Sequence, residues 1–384
     1  MPIVAFYSPL GGVWRSTLTL LAATILAETR GEPVLAVDAD VETPSFHAYL
    51  ERSVLADLAG SYLKRRYYTL VDAIVAGEAP PREGMEVPRA PWSERVYLLP
   101  SEAYPPPPAT ELRNDYGLED LEVATAARVA GIREIQSVAG LGREARARLA
   151  LRLRRVMEAA ARQVGGRVVL VDAGPGVETL LLSVLQAADY VVLLTRPDIV
   201  SVRRVAALLP LLVSHGALRV PLLPPYRGYP EPEEQKGARA GEWERRFHRL
   251  YMVYTHVPPR LDRAGSVKPR LEECREPGGG THSREDGLDR VHEELRALLL
   301  PWLPEAYTRI PLVEDLLAPD KEGLQGRTHV ERIHNAVKAA RQQLTEGRRS
   351  GEERRARLLR VWCRAAEVAT VINRWVEADA DMDT

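Results

Sequence analysis

Cysteine is scarce in this sequence, and long apolar runs are missing. Its two cysteines, Cys274 and Cys363, cannot form a disulfide framework, and neither has neighbours at metal-ligand spacing. No apolar run approaches the roughly 18 residues of a membrane span. The first residues follow a strand pattern and lack the basic and apolar regions of a signal peptide. We therefore expect a soluble cytoplasmic protein without a membrane span.

Lysine is also scarce, and neither sign of charge is in excess. Only five of the 52 basic residues are Lys, the rest being Arg, and the formal net charge is −1. Such a chain has no global field that would favour nucleic acid. In a chain this poor in Lys, drift explains an Arg at a position that usually holds Lys.

Two common kinds of catalytic site are absent as well. The eight His include no metal-spaced pair with a carboxylate, and no G-x-S-x-G segment occurs. These absences disfavour a metal-dependent hydrolase and a serine hydrolase of the G-x-S-x-G type.

The most informative stretch lies at the N-terminus. Residues 3–6 form a short apolar run typical of a buried strand, a Pro-Leu-Gly-Gly turn follows, and a helical pattern begins near Leu18. This order aims backbone N–H groups and the positive end of a helix at one point, which suits a phosphate. Ser16 stands where a hydroxyl can hold Mg²⁺.

Carboxylates follow two other predicted strands. Asp38 and Asp40 come directly after the apolar run 34–37, and Asp172 follows the run 167–171. Ligands of open α/β sheets bind at the carboxyl ends of the strands. The sequence therefore predicts acidic groups beside the phosphate loop.

The rest of the pattern predicts an α/β fold, a mostly parallel sheet with helices on both faces, plus C-terminal helices. Further strands are predicted at 95–99, 190–195, 251–257 and 307–310. Helices are predicted at 46–58, 67–74, 118–164 with a break near 140–142, 200–214, 288–300 and 328–345. Pro210 is expected to kink the helix 200–214. We expect one domain over 1–325, with a loop insertion near 221–245, and a helical extension over 326–384.

Two helical faces have alternative interpretations. The last helix carries an apolar stripe that includes Trp362, Ile372 and Trp375, and docking on its own domain is favoured over use by a partner or a membrane. The basic face of residues 143–162 could contact DNA phosphates without reading sequence. Because Glu144 and Glu158 interrupt it, a solvated face is favoured.

An ordered series of motifs resembles the ParA/MinD-type ATPases. The stretch from Ser8 to Thr17 is similar to their deviant phosphate loop, K-G-G-V-G-K-[ST], and Asp38-Ala39-Asp40 to their second acidic motif. Further matches are Leu98-Leu99-Pro100, the D-x-x-P-G segment at 172–176 and the strand within 187–197. The resemblance covers about residues 1–215, and weakly extends to 318, and it implies a P-loop NTPase-like fold.

The resemblance also implies a site for ATP and Mg²⁺. It places the phosphates on the loop residues Gly11, Gly12, Val13, Trp14, Arg15, Ser16 and Thr17. It assigns the metal to Ser16, Asp38 and Asp172, and catalytic roles to Asp40, which would orient the attacking water, and Arg15, which would act as the cation. Thr255 or His256 stands where the family has an adenine-binding Asn.

Three departures from the family pattern leave the function open. Trp14 replaces a Gly, Leu10 replaces the signature Lys that reaches the partner's nucleotide, and Thr255 or His256 replaces the Asn. One hypothesis is an ATP-dependent molecular switch with weak hydrolysis that forms a nucleotide-dependent homodimer and serves an unidentified protein partner. The alternative is a degenerate, non-catalytic scaffold or partner-binding protein. Non-specific DNA binding is the least favoured partner interaction.

Overall fold

The structure is a computed structural model. It describes residues 1–41, 44–60, 63–77, 79–101, 143–175, 179–214, 217–218, 249–257, 292, 307–311, 330, 333–339 and 353–382. The predicted insertion near 221–245, most of the predicted helix 288–300 and the predicted helical residues 118–142 lie outside these ranges.

A parallel sheet of seven strands forms the centre of the described chain. In the order β3-β2-β4-β1-β5-β6-β7, neighbouring strands run parallel throughout. The strands are β1 Ile3–Ser8, β2 Val34–Asp38, β3 Val96–Leu99, β4 Val169–Pro175, β5 Tyr190–Thr195, β6 Arg249–Val257 and β7 Tyr307–Pro311. The predicted α/β class with a mostly parallel sheet is confirmed.

Helices cover both faces of the sheet. They are α1 Arg15–Arg30, α2 Arg52–Ala59, α3 Leu70–Ala76, α4 Arg143–Gln163, α5 Thr179–Ala187, α6 Ile199–Ser214 and α7 Glu353–Met382. Side chains of β1 alternate between the faces, so that Ala5 joins the core under α4 and α5 while Phe6 joins the core under α1 and α7. Both faces are buried, as a parallel sheet requires.

Two helix predictions need correction. The predicted helix 46–58 is a 3₁₀ turn, Phe46–Tyr49, followed by α2, because Leu50 and Glu51 have extended backbones. The predicted helix 67–74 begins only at Leu70, since Thr69 caps it and exchanges hydrogen bonds with Asp72.

The last helix, α7, docks on the domain and is not a separate arm. Val361, Val368 and Ile372 are buried in the same core as α1, at 1%, 0% and 0% exposure. The Trp375 ring stacks on Tyr190 with centroids 4.7 Å apart, and Tyr190 Oη donates to the Trp375 carbonyl at 3.2 Å. The prediction that the apolar stripe of the last helix docks on its own domain is confirmed.

Cys363 of α7 is disulfide-bonded, and Cys274, the other cysteine of the chain, lies outside the described residues.

None of the helices in the described part of the chain combines the length and the apolarity that crossing a membrane requires.

Candidate functional site

A glycine loop connects β1 to α1 at the carboxyl edge of the sheet. The Leu10 N–H donates to Ser8 Oγ at 3.1 Å, which tightens the turn after β1. Gly12 has a φ of 66°, and Trp14 has a φ of 58° directly before α1. Both values lie in the left-handed region, so the loop keeps a conformation that normally needs Gly even where it holds Trp.

The amino end of α1 lacks the groups that usually neutralise a helix dipole. The side chain of Trp14 makes no capping hydrogen bond, and the first turn of α1 holds no acidic residue. The N–H groups of a first helical turn have no partners within the helix. This end of α1 is therefore suited to an external anion.

Arg15 points back into the site and bridges two buried carboxylates. Its Nε donates to Asp172 Oδ1, and its Nη2 lies 3.2 Å from Asp40 Oδ2. Arg15 is 8% exposed, Asp40 6% and Asp172 0%. The guanidinium thus bridges Asp172 in β4 and Asp40, which follows the neighbouring strand β2.

Three hydroxyl or carboxylate oxygens converge beside this ion pair. Ser16 Oγ donates to Asp172 Oδ2, and Ser45 Oγ lies 2.9 Å from Ser16 Oγ and 3.4 Å from Asp172 Oδ2. Ser45 stands at the start of the 3₁₀ turn that follows β2. The cluster therefore joins α1, β4 and the segment after β2.

Asp38 organises the backbone around the site. Its Oδ1 accepts from the Asp40 N–H at 3.0 Å, and its Oδ2 accepts from the N–H groups of Ser45 at 2.8 Å and Phe46 at 2.9 Å. Burial, together with the nearby charge of Asp172, raises the pKa of Asp38 well above its ordinary value. Asp38 thus fixes the path of the chain and is less readily ionised than an exposed carboxyl.

Gly174 allows β4 to pass close to Asp40. Its φ is +71°, and a Cβ at this position would lie 3.4 Å from Asp40 Cγ. A side chain here would be strained and would crowd the carboxylate that pairs with Arg15. Close packing against Asp40 therefore explains a glycine at position 174, one of the variable positions of the D-x-x-P-G segment.

On the other side of the loop, Trp14 meets His256 at the end of β6. Their ring centroids lie 5.1 Å apart, and His256 also has a positive φ, 57°. Arg196, after β5, donates from Nη2 to the Gly12 carbonyl at 2.9 Å. Burial and the charge of Arg196 lower the pKa of His256 to about 4, so the imidazole is neutral at pH 7.

The other residues predicted from the sequence lie outside the cluster around Arg15. Thr17 is buried, with its Oγ 3.3 Å from Tyr49 Oη, and Val13 is packed in the core. Gly11 is exposed. Thr255 is fully buried, and its hydroxyl donates to the Thr195 carbonyl at 3.4 Å within the sheet. Arg15, Ser16, Asp40 and Asp172 are thus in direct contact, whereas Thr255 lies two strands away from β1.

Sequence reasoning missed Ser45 and Arg196. Both follow a strand at the carboxyl edge, which is the signal that could have singled them out. Their roles depend on loop paths, which one sequence does not specify.

The oxygens around Asp172 fit Mg²⁺ in donor type. Ser16, Ser45 and Asp172 supply hydroxyl and carboxylate oxygens, which this hard cation prefers, and Mg²⁺ usually takes only one or two carboxylates and completes its shell with water and phosphate. Among the residues that the structure describes, no group of three His, Cys, Asp or Glu could hold a metal alone. A metal here would therefore depend on ligand oxygens.

Comparisons with known proteins give a likeness in structure only. No protein-family profile matches the chain, and no curated protein matches it. Several solved structures do match over almost the whole chain. The chain is similar to ParA- and MinD-type ATPases.

Three of these structures illustrate the likeness. A ParA family ATPase from Chlorobium tepidum is 16% identical with a TM-score of 0.44, over 88% of this chain and 98% of that one. MinD from Pyrococcus horikoshii, complexed with Mg-ADP, is 14% identical with a TM-score of 0.44, over 97% and 96%. The MinC:MinD complex of Aquifex aeolicus is 14% identical with a TM-score of 0.40, over 92% and 99%.

Proposed function

We propose that this chain binds a nucleoside triphosphate, ATP in the first place, at residues 11–17 together with Mg²⁺. The observation that carries the proposal is the meeting of the α1 amino end with Arg15, Ser16, Asp40 and Asp172. The helix end and the guanidinium attract phosphate, and the hydroxyls and carboxylates suit a divalent cation.

The residues would divide the work as follows. The N–H groups of the loop and Arg15 hold the phosphates, and Ser16 and Asp172 hold Mg²⁺. Asp38 keeps the segment after β2 in place through its three backbone contacts. Asp40, held by Arg15, orients the attacking water. When bound, Mg²⁺ neutralises charge on the phosphate oxygens.

We propose further that the protein is a molecular switch with weak hydrolysis. A change at the phosphates would reach Asp38 and Ser45, and through them the segment that leads to α2. Such a switch would act through a nucleotide-dependent homodimer and a protein partner. Light scattering with and without ATP tests the dimer, and an unchanged mass would contradict it.

Calorimetry tests nucleotide binding. We expect ATP with Mg²⁺ to bind the full chain, and Ser16→Ala to weaken binding mainly when Mg²⁺ is present. Ser53→Ala is the matched control, because Ser53 is exposed on α2. No heat and no thermal shift with millimolar ATP, GTP or ADP would rule the proposal out.

The second candidate is a non-catalytic scaffold that keeps the loop as structure. It is favoured by the pairing of Arg15 with two buried carboxylates, which would stabilise the fold without any ligand. The same calorimetry separates the two, since a scaffold would give no heat with any nucleotide and would still unfold cooperatively.

A further inference from the structure

The Arg15 guanidinium lies where it opposes a divalent cation. It contacts Asp172 Oδ1 through Nε, while Ser16 and Ser45 lie beside the other oxygen, Oδ2. A dication placed among the oxygens around Oδ2 would therefore stand one carboxylate away from a buried positive charge. Repulsion between like charges is strong where water is excluded, and Asp172 is fully buried.

The nearby carboxylates do not compensate for this repulsion. Arg15 pairs with Asp40 as well as with Asp172, so the two carboxylates and the guanidinium together carry one negative charge. Both oxygens of Asp38 already accept hydrogen bonds from the backbone N–H groups of Asp40, Ser45 and Phe46, so they are directed at the backbone and not at the oxygens around Asp172 Oδ2. The acidic groups therefore offer a dication little net charge while Arg15 stays in place.

A phosphate group could change the position of Arg15. Arginine binds phosphate with two parallel hydrogen bonds, and Arg15 is the first residue of α1, where backbone N–H groups and the helix dipole also favour an anion. Transfer of the guanidinium to phosphate would leave Asp172 with its negative charge and Ser16 beside it. A cation could then bind between the carboxylate and the phosphate oxygens.

We propose that Arg15 is a displaceable counterion that excludes divalent cations from the Ser16, Ser45 and Asp172 oxygens until a phosphate-bearing ligand draws it away. The order of binding is therefore phosphate first and metal second. The withdrawal step rests on the proposed nucleotide binding, whereas the exclusion step concerns the ligand-free protein alone.

The test uses Mn²⁺ as a probe, with free Mn²⁺ measured by electron paramagnetic resonance in the presence of the full chain and no nucleotide. We expect wild type to leave Mn²⁺ free and Arg15→Gln to bind it at least about tenfold more tightly. Arg155→Gln, which removes an exposed charge from α4, should behave as wild type. Adding Asp172→Asn to Arg15→Gln should abolish the gain.

A second variant covers the case in which Arg15→Gln does not fold. Arg15→Gln/Asp40→Asn removes one carboxylate together with the guanidinium, so less uncompensated charge is buried, and it should also gain Mn²⁺ binding. Wild type that binds Mn²⁺ alone as tightly as the Arg15 variants would overturn the proposal. If wild type excludes Mn²⁺, the variants bind it and ATP gives no heat, the exclusion stands and nucleotide binding fails.

Discussion

The rings of Trp14 and His256 are in contact, with centroids 5.1 Å apart, and both residues have a left-handed backbone conformation, with φ values of 58° and 57°. Residues with a Cβ rarely adopt this conformation. The contact between the rings joins the glycine loop between β1 and α1 to the end of β6, and it offsets strain on both sides.

The backbone strain at Trp14 predicts that a Gly variant is more stable than an Ala variant at this position. Trp14→Ala and Trp14→Gly both lose the ring, but only Ala keeps a Cβ in the left-handed region. We therefore expect the Ala variant to be less stable than the Gly variant by about 1 kcal/mol in urea unfolding.

Leu151→Ala and Leu151→Gly are the control variants for this prediction. Leu151 is 50% exposed within α4, where Ala should be more stable than Gly by about 1 kcal/mol. The two positions should give opposite signs. Equal stability of the Ala and Gly variants at position 14 would show that the loop is not held in this conformation.

His256 should titrate below its ordinary range. Burial and Arg196 lower its pKa from 6.5 to about 4, so the folded protein prefers the neutral ring. The resulting stability is fully present above about pH 6.5 and is lost as the pH falls toward 4. Following the ring protons by NMR should give a midpoint near 4 in the folded protein.

Arg196→Gln is the matched variant for the histidine. It removes the repelling charge and leaves the burial, so the pKa of His256 should rise part of the way toward 6.5. A midpoint near 6.5 in wild type would mean that Arg196 and burial do not act on this ring.

ATP hydrolysis, if ATP binds, should be slow and should respond to position 10. The resemblance implies a Lys at this position that acts on the nucleotide of the partner subunit, whereas Leu10 has no charge and packs against the core beside α1. A cation at the transferring phosphoryl group accelerates such reactions by orders of magnitude. Leu10→Lys should raise steady-state phosphate release about tenfold or more.

Leu10→Gln separates charge from shape in this assay. It should stay as slow as wild type, because it adds length and polarity without a positive charge. Rapid turnover by wild type that Leu10→Lys does not increase would show that another group already supplies the cation.

The docking of α7 predicts that substitutions at Ile372 and Arg374 change the free energy of unfolding by very different amounts. Ile372 is 0% exposed in the core shared with α1, so Ile372→Ala should lower the free energy of unfolding by about 2–5 kcal/mol. Arg374→Ala, on the exposed side of the helix, should change it by less than about 0.5 kcal/mol. Similar values for the two variants would place α7 away from the domain in solution.

The sheet could be predicted because its strands are buried on both faces. The apolar run 190–195 became β5 with the same bounds, and the run 34–37 became β2 with Asp38 added. Apolar runs between turn residues carry this information locally. The break at Leu50 and Glu51 depends on how the chain enters α2, which the helical spacing of residues 46–58 does not reveal.

The site could be predicted in part for a related reason. Parallel strands bring their carboxyl ends to one edge, so the proximity of Asp40 and Asp172 follows from the order of motifs. The direction of the Arg15 side chain does not follow, because it is set by the charges that it meets in the folded protein. Ser45 likewise reaches Ser16 only through the turn after β2.

Every residue of α1 from Thr17 to Ala27 is buried, since the sheet lies on one side of the helix and α7 on the other. A helix that is enclosed on all sides has no solvent-facing positions at which polar residues can accumulate. A relative that ended before residue 353 would expose apolar residues along α1 to water. Loss of the C-terminal helix in evolution should therefore coincide with polar substitutions on the outer face of α1, and the two segments should change together.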